Sequence, residues 1–271
     1  MRISHQMLHN QSTQRLQQSS VKMSDTFEQA SSGKKLLRPS DSPHGAVHAM
    51  KLKQQLGEME QYKANQSQSA LFLDEVDNKL QNMSRILQRV QELGVQSNND
   101  VMFSGERDII QNELTELTKE LQSLSSSEIN GELLFPQDGT EKQIVVGKGT
   151  VVSVTLSAEL PFGGDDGLFS TLQEMSSRLE ANEHVDLEAL QTSYDRVADA
   201  MSVVGARKNR LDSIQGRMED SKLEHTKMLS KIEDVDYAEI LTKLKSEEAV
   251  YQAGLSATSK LFTASLVDYL R

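Results

Sequence analysis

Two long, proline-free runs dominate the 271-residue chain. In residues 45–93 apolar residues recur at alternating steps of three and four: Leu52, Leu56, Met59, Tyr62 and then, past Gln66, Ala70, Leu73, Val76, Leu80, Met83, Leu87 and Val90. A second run starts near Val185 and continues through Leu190, Tyr194, Val197, Met201, Val204, Leu211, Ile214, Met218, Met228 and Ile232. That period holds one stripe of a helix against a partner helix. At about 1.5 Å per residue each run makes a rod roughly 70 Å long. Two rods of equal length, joined at one end by shorter elements, predict antiparallel packing. Gly94 and Asn98-Asn99 are read as the end of the first rod, and Ser104 as the N-cap of a shorter helix through Ile110, Leu114, Leu117, Leu121 and Leu124.

Composition suits thin helices more than a thick enzyme core. Aromatics are 4% of residues and Trp is absent, and a Leu/Met/Val stripe is all that a coiled-coil seam requires. Cysteine is also absent, which excludes disulfides, thiolate zinc sites and cysteine nucleophiles. No run of 18 apolar residues exists, so no membrane-spanning helix is expected. The net charge of −11 is uneven: residues 1–56 carry +5, residues 237–271 carry 0 and the middle carries −16. A nucleic-acid binder needs a strongly basic surface, and the chain as a whole does not offer one. MRISHQMLHN at the start has no apolar core of a secretory signal, so export by another route or residence in the cytoplasm is expected.

The ends differ from the middle. Residues 1–32 are polar, with a broken stripe through Leu16, Met23, Phe27 and Ala30; such a segment is expected to be helical only when packed against something else. GKKLLRPSDSP (33–43) breaks the helix, because Pro39 and Pro43 lack amide donors. The last helix follows IEDVD (232–236), with a seam of Tyr237, Leu241, Leu244, Tyr251, Leu255, Phe262, Leu266 and Tyr269. Between 131 and 167 the period changes. Gln143–Val146 and Thr150–Ser157 are β-branched runs about Gly147-Lys148-Gly149, which predicts a hairpin, a small β insertion at the far end of the rods.

Motifs that carry chemistry are few. His44 and His48, like His5 and His9, have the four-residue spacing of two metal ligands on one helix face. No third ligand is evident, and Gly45 stands where H-E-x-x-H needs glutamate, so solvated histidines are the better reading. VGKGT (146–150) lacks the first glycine of a phosphate loop and has Gly149 where Ser or Thr should follow the lysine. The acidic groups Asp165-Asp166 and Glu233-Asp234-Asp236 match no calcium-loop spacing and are read as turn and helix-start charges. No catalytic residue, metal site or cofactor is assigned.

Several stretches, taken together, have a familiar pattern. MRIS and SSGKKLLRPSDSPHGAV (31–47), QSNNDVMFSGERDIIQNELTELTKEL (96–121), NGELLF (130–135), VVGARKNRLD (203–212), SKIEDVDYAEILTKL (230–244) and QAGLSATSKLFTASLVDYL (252–270) resemble the flagellin superfamily. The S-D-S-P form with Pro39 and Pro43 resembles its hook–filament junction branch, although Ser42 stands where the family usually has Asp. The resemblance implies an extracellular axial protein of the bacterial flagellum, exported by the flagellar type III route without a cleaved signal. It would self-assemble into a ring, with hook-associated protein 1 on the hook side, flagellin on the filament side and a cytosolic export chaperone at the C-terminal helix. No membrane and no nucleic acid is expected among its partners.

The fold expected is therefore mainly α: an elongated antiparallel long-helix bundle, flagellin-like, with paired terminal helices and a small β insertion. Three regions are expected: terminal assembly helices (1–43 with 234–271), a helical rod (44–130 with 168–233) and a β-hairpin region (131–167). Burial between molecules is expected at Leu16, Met23, Phe27, Leu241, Leu244, Tyr251, Leu255, Phe262 and Leu266, since no further chain covers the terminal stripes. The junction adaptor is the leading reading. A flagellin of the bulk filament is the first alternative. From a different class come a cytosolic coiled-coil scaffold and a metal-dependent enzyme using His44 and His48.

Overall fold

The computed structural model describes residues 2–98, 104–164 and 167–269; the side chains of 1–6, Leu8, Ser104 and 261–271 fall outside that description. Among the described residues, seven helices and four short strands follow in the order α1 (Arg2–Ser32), α2 (Pro43–Ser97), α3 (Ser104–Ser125), β1 (Glu128–Ile129), β2 (Glu132–Leu133), β3 (Gln143–Gly147), β4 (Thr150–Ser153), α4 (Glu159–Phe162), α5 (Leu168–Glu180), α6 (Leu187–Glu233) and α7 (Tyr237–Tyr269). The fold is mainly α, as the seams predict. The chain divides into two compact units, a central one of 58–221 and a terminal one of 1–57 with 222–271.

In the central unit α2 and α6 run antiparallel. Side-chain pairs between them fall in opposite order: Lys63 with Glu219, Asp74 with Lys208, Gln88 with Tyr194 and Gln91 with Gln191. Val76, Leu80, Met83, Leu87 and Val90 of α2 are buried in one cluster with Val197, Val204, Leu211 and Ile214 of α6. Helices α3 and α5 add Ile110, Leu114, Leu121, Leu172, Met175 and Leu179 to it. The gap in the α2 seam at Gln66 has a cause: its side-chain amide donates to the Val146 carbonyl at 2.8 Å, so a buried polar group is satisfied across the seam.

Gly94 does not end the rod. It lies inside α2, where a Cβ would come within 2.8 Å of Leu187 Cδ2 and 3.3 Å of Met175 Cε. It is a close-approach glycine, and the helix runs on to Ser97. The Asn98 amide donates to the Val185 carbonyl at 3.0 Å and accepts the Val185 amide at 2.7 Å, tying the end of α2 to the approach of α6. Asn99, the Ser104 side chain and the pair Asp165-Asp166 lie outside the described residues.

The β part is larger than the seams show. Besides β3–β4, a hairpin β1–β2 turns at Asn130 and Gly131, both with positive φ. That is the type I′ geometry an Asn-Gly pair favours. β4 stops at Ser153, short of the expected 157, because the backbone then changes partner: Leu156 donates to Leu134 and Ala158 to Pro136. Arg207 of α6 holds this stretch, donating to the Ser153 and Thr155 carbonyls and to both oxygens of Glu141. The β3–β4 hairpin lies along the flank of the rods, where Asn65 and Gln66 of α2 reach its carbonyls. The β3–β4 hairpin thus packs beside α2 at residues 65–66 and not at the far end of the rods, where the insertion is expected. Phe162 of α4 fills the space between, edge-on to Phe135 and stacked on Phe169, each at 5.5 Å.

Candidate assembly interface

The terminal unit is built from α1 and α7, the connectors that lead to them and the adjoining ends of α2 and α6. α1 stops at Gly33, whose φ of +70° turns the chain out of the helix six residues before Pro39, and Asp41 closes the following turn by accepting the Leu37 and Arg38 amides at 3.1 and 2.8 Å. Ser42 then caps α2, its hydroxyl accepting the Gly45 amide at 3.2 Å, with Pro43 at the first helical position. Serine caps as aspartate would, so the departure at Ser42 keeps the local structure. Asp236 caps α7 in the same way, accepting the Ala238 amide at 2.9 Å. Glu233 pairs with Lys34 and Lys53. The acidic run 233–236 is thus absorbed by capping and pairing.

α1 packs against α7, and Gly254 faces Leu16 while Gly33 faces Tyr237, so the pair is antiparallel. The inner positions of α1 are Ser12, Leu16, Ser19, Met23, Thr26 and Ala30, and those of α7 are Ile240, Leu244, Glu247, Tyr251, Gly254 and Thr258. Both sets step by four and three, but at least half of each is small or polar. A more apolar face of α7, through Leu241 and Leu255, stays open, as does Phe27 of α1. Phe27 is 63% exposed, Leu241 51% and Leu255 46%, with Val21, Tyr237 and Val250 also open. Of the residues expected at an interface, Leu16, Met23, Leu244 and Tyr251 belong to the α1–α7 seam, whereas Phe27, Leu241 and Leu255 face outward. The side chains of Phe262 and Leu266 lie outside the described residues.

Sequence reasoning runs these two stripes of α7 together, because hydrophobicity weights Leu241 and Leu255 above Glu247 and Gly254. The signal that separates them is the small residues. Ser12, Ser19, Ala30 and Gly254 recur where two backbones come close, and small residues permit that approach. His44 and His48 stand exposed on the first turns of α2, and the His5 side chain lies outside the described residues. Among the described residues no group of three or more His, Asp and Glu is placed to hold a metal ion, and no helix is long and apolar enough to cross a membrane.

Residues 3–140 match the bacterial flagellin N-terminal helical region, and residues 187–270 match its C-terminal helical region. The chain belongs to the bacterial flagellin family. It is 29% identical to a flagellin of Clostridium tyrobutyricum over 156 residues, 57% of this chain, and spans only 41% of that protein. Against flagellin FlaB2 of Treponema pallidum (strain Nichols) it is 23% identical over 99% of both chains. It is likewise 23% identical to flagellar hook-associated protein 3 of Escherichia coli (strain K12), over 97% of this chain and 96% of that one. The crystal structure of flagellar hook-associated protein 3 from Legionella pneumophila aligns with TM-score 0.61 at 14% identity, covering 67% of this chain and 98% of that one. At that identity the likeness is one of fold.

Proposed function

We propose that the chain is a structural adaptor at the hook–filament junction of the bacterial flagellum, assembling through α1 and α7. The observation that carries the proposal is the outward stripe of Phe27, Leu241 and Leu255, left open after the two helices have paired. A stripe of this kind marks an association surface on a soluble protein. Its chemistry is burial, with no reacting group, so no catalytic activity is proposed. The junction role in particular is supported by the near full-length match to hook-associated protein 3 of Escherichia coli. On this reading the chain forms a ring, meets hook-associated protein 1 on one side and flagellin on the other, and is shielded by an export chaperone at α7 before it leaves the cell.

A deletion strain tests this reading. Cells lacking the chain should keep hooks, lose filaments and release flagellin into the medium. The equally long match to the Treponema flagellin favours a second reading, a subunit of the bulk filament. In that case the chain would be the dominant band of sheared filaments instead of a few copies per flagellum. Leu255→Asp or Phe27→Asp should abolish complementation without lowering the amount of folded protein; unimpaired motility in both would remove α1 and α7 from the interface.

A further inference from the structure

The terminal helix pair is attached through two connectors only, 33–42 into α2 and 234–236 out of α6. Both are tied at one place. The Lys35 amide donates to the Glu233 carbonyl at 2.6 Å, and the Val235 amide donates to the Gly33 carbonyl at 3.1 Å, so the connectors form a minimal antiparallel bridge at Lys34 and Asp234. Gly33 has φ +70°, and the Tyr237 hydroxyl fills the space beside it. The Glu233 side chain adds a third tie. It is buried, and its carboxylate pairs with Lys34 of the first connector at 3.6 Å and with Lys53, three turns into α2. One carboxylate therefore touches a connector and the first rod while standing at the end of the second.

We infer that Glu233 is a hinge lock: its carboxylate ties the first connector and the end of α6, from which the second connector leaves, to the start of α2, and releasing it frees the pair to swing. Two backbone hydrogen bonds at an exposed bridge are weak restraints by themselves. A nearly desolvated carboxylate between two ammonium groups holds its geometry more firmly, since screening by water and salt is reduced there. The lysines keep half their side chains in water, so their charges are solvated and the cost of burial falls on Glu233 alone. Charge removal at that one residue then loosens three segments together, a disproportion that marks a switchable element. The inference concerns conformation and stands apart from the junction reading.

The 271-residue chain has no cysteine, so Gln18→Cys and Lys51→Cys place two spin labels, one on α1 and one on α2, at exposed positions. Pulsed dipolar spectroscopy on this background should give a single narrow distance peak. Glu233→Gln should abolish that peak in favour of a broad distribution while helix content by circular dichroism stays unchanged. Glu239→Gln, an exposed acid in the first turn of α7, should leave the peak intact. Lys53→Met, which keeps the carboxylate and Lys34, should broaden it as well, and it carries the test if Glu233→Gln fails to fold. A narrow peak in Lys53→Met, or equal broadening in Glu239→Gln, would overturn the lock.

Discussion

At Gly94 and Gly205 the same substitution to alanine is expected to have opposite signs. Both lie inside long helices, where alanine is favoured over glycine by about 1 kcal/mol. At Gly205 nothing lies within 4 Å of the added Cβ, so Gly205→Ala should stabilise by about that amount. At Gly94 the Cβ meets Leu187 and Met175 inside the core, and overpacking costs about 1–3 kcal/mol, so Gly94→Ala should lose stability on balance. Urea midpoints of the two variants decide it; equal shifts would mean the helices do not approach at Gly94. Lys208 supplies a pH test. Its hydrogen bond to Asp74, then that to Asp77, raises the ammonium pKa above its ordinary value. A folded pKa above the unfolded one contributes stability that is complete below the unfolded value and disappears as pH rises through the folded one. Lys208→Met should therefore lower the urea midpoint at neutral pH and flatten its decline in the alkaline range. A variant whose alkaline decline runs parallel to that of the parent would exclude the pairing.

For the element α7, two leucines separate its faces. Leu244 is buried against α1, so Leu244→Ala should cost about 2 kcal/mol, the lower end for a buried leucine, and should expose α1 amides to hydrogen exchange. Leu255 faces outward, and Leu255→Ala should stay within about 0.5 kcal/mol of the parent in the isolated chain. Equal loss of α1 protection in both variants would mean that the helix is rotated from the seam described. This is also where legibility ends. The rods, their antiparallel sense and the hairpin around Gly147-Lys148-Gly149 can be read from the sequence, because a heptad period and β-branched runs state one partner face each. The inner seam of the terminal pair cannot. Its residues, Ser19, Thr26, Glu247 and Gly254, suit close approach and carry little hydrophobic signal, while the louder stripe through Leu241 and Leu255 faces away. Gly94 misleads for a related reason: a glycine after a long seam signals an end, and only the position of Leu187 shows that it admits a neighbour. The Asn130-Gly131 hairpin does have its local signature, but each flanking strand has only two residues.

At the scale of the whole molecule the burial is lopsided. Among the described residues, every member of the main apolar cluster, from Phe72 to Ile214, lies in the central unit. Among the described residues, the terminal unit buries Ala49, Leu52, Ile240 and Leu244 as its apolar side chains. Fixing each residue of a helix costs about 1–2 kcal/mol of backbone entropy, and burying a leucine or isoleucine returns about 1.5–3 kcal/mol. Ala49 and Leu52 of these lie on α2, and the two on the helix pair, Ile240 and Leu244, cannot hold two helices of more than thirty residues each as firmly as the central cluster holds its own. Heating the isolated chain should therefore give two transitions, an early one that melts α1 and α7 and a later one for residues 58–221. Circular dichroism should show the early step as a loss of helix, and limited proteolysis below the second transition should trim the chain from both ends to a fragment close to 58–221. In the assembled state neighbours would cover Phe27, Leu241 and Leu255, each then contributing about 1.5–3 kcal/mol, and the early transition should move up or merge with the later one. Ordering of the termini and association would then be a single coupled step, visible as strong protein-concentration dependence of the first transition alone. One cooperative melt in dilute solution, with the ends as protected as the centre, would show that the terminal pair is stable by itself and that assembly adds contacts without completing the fold.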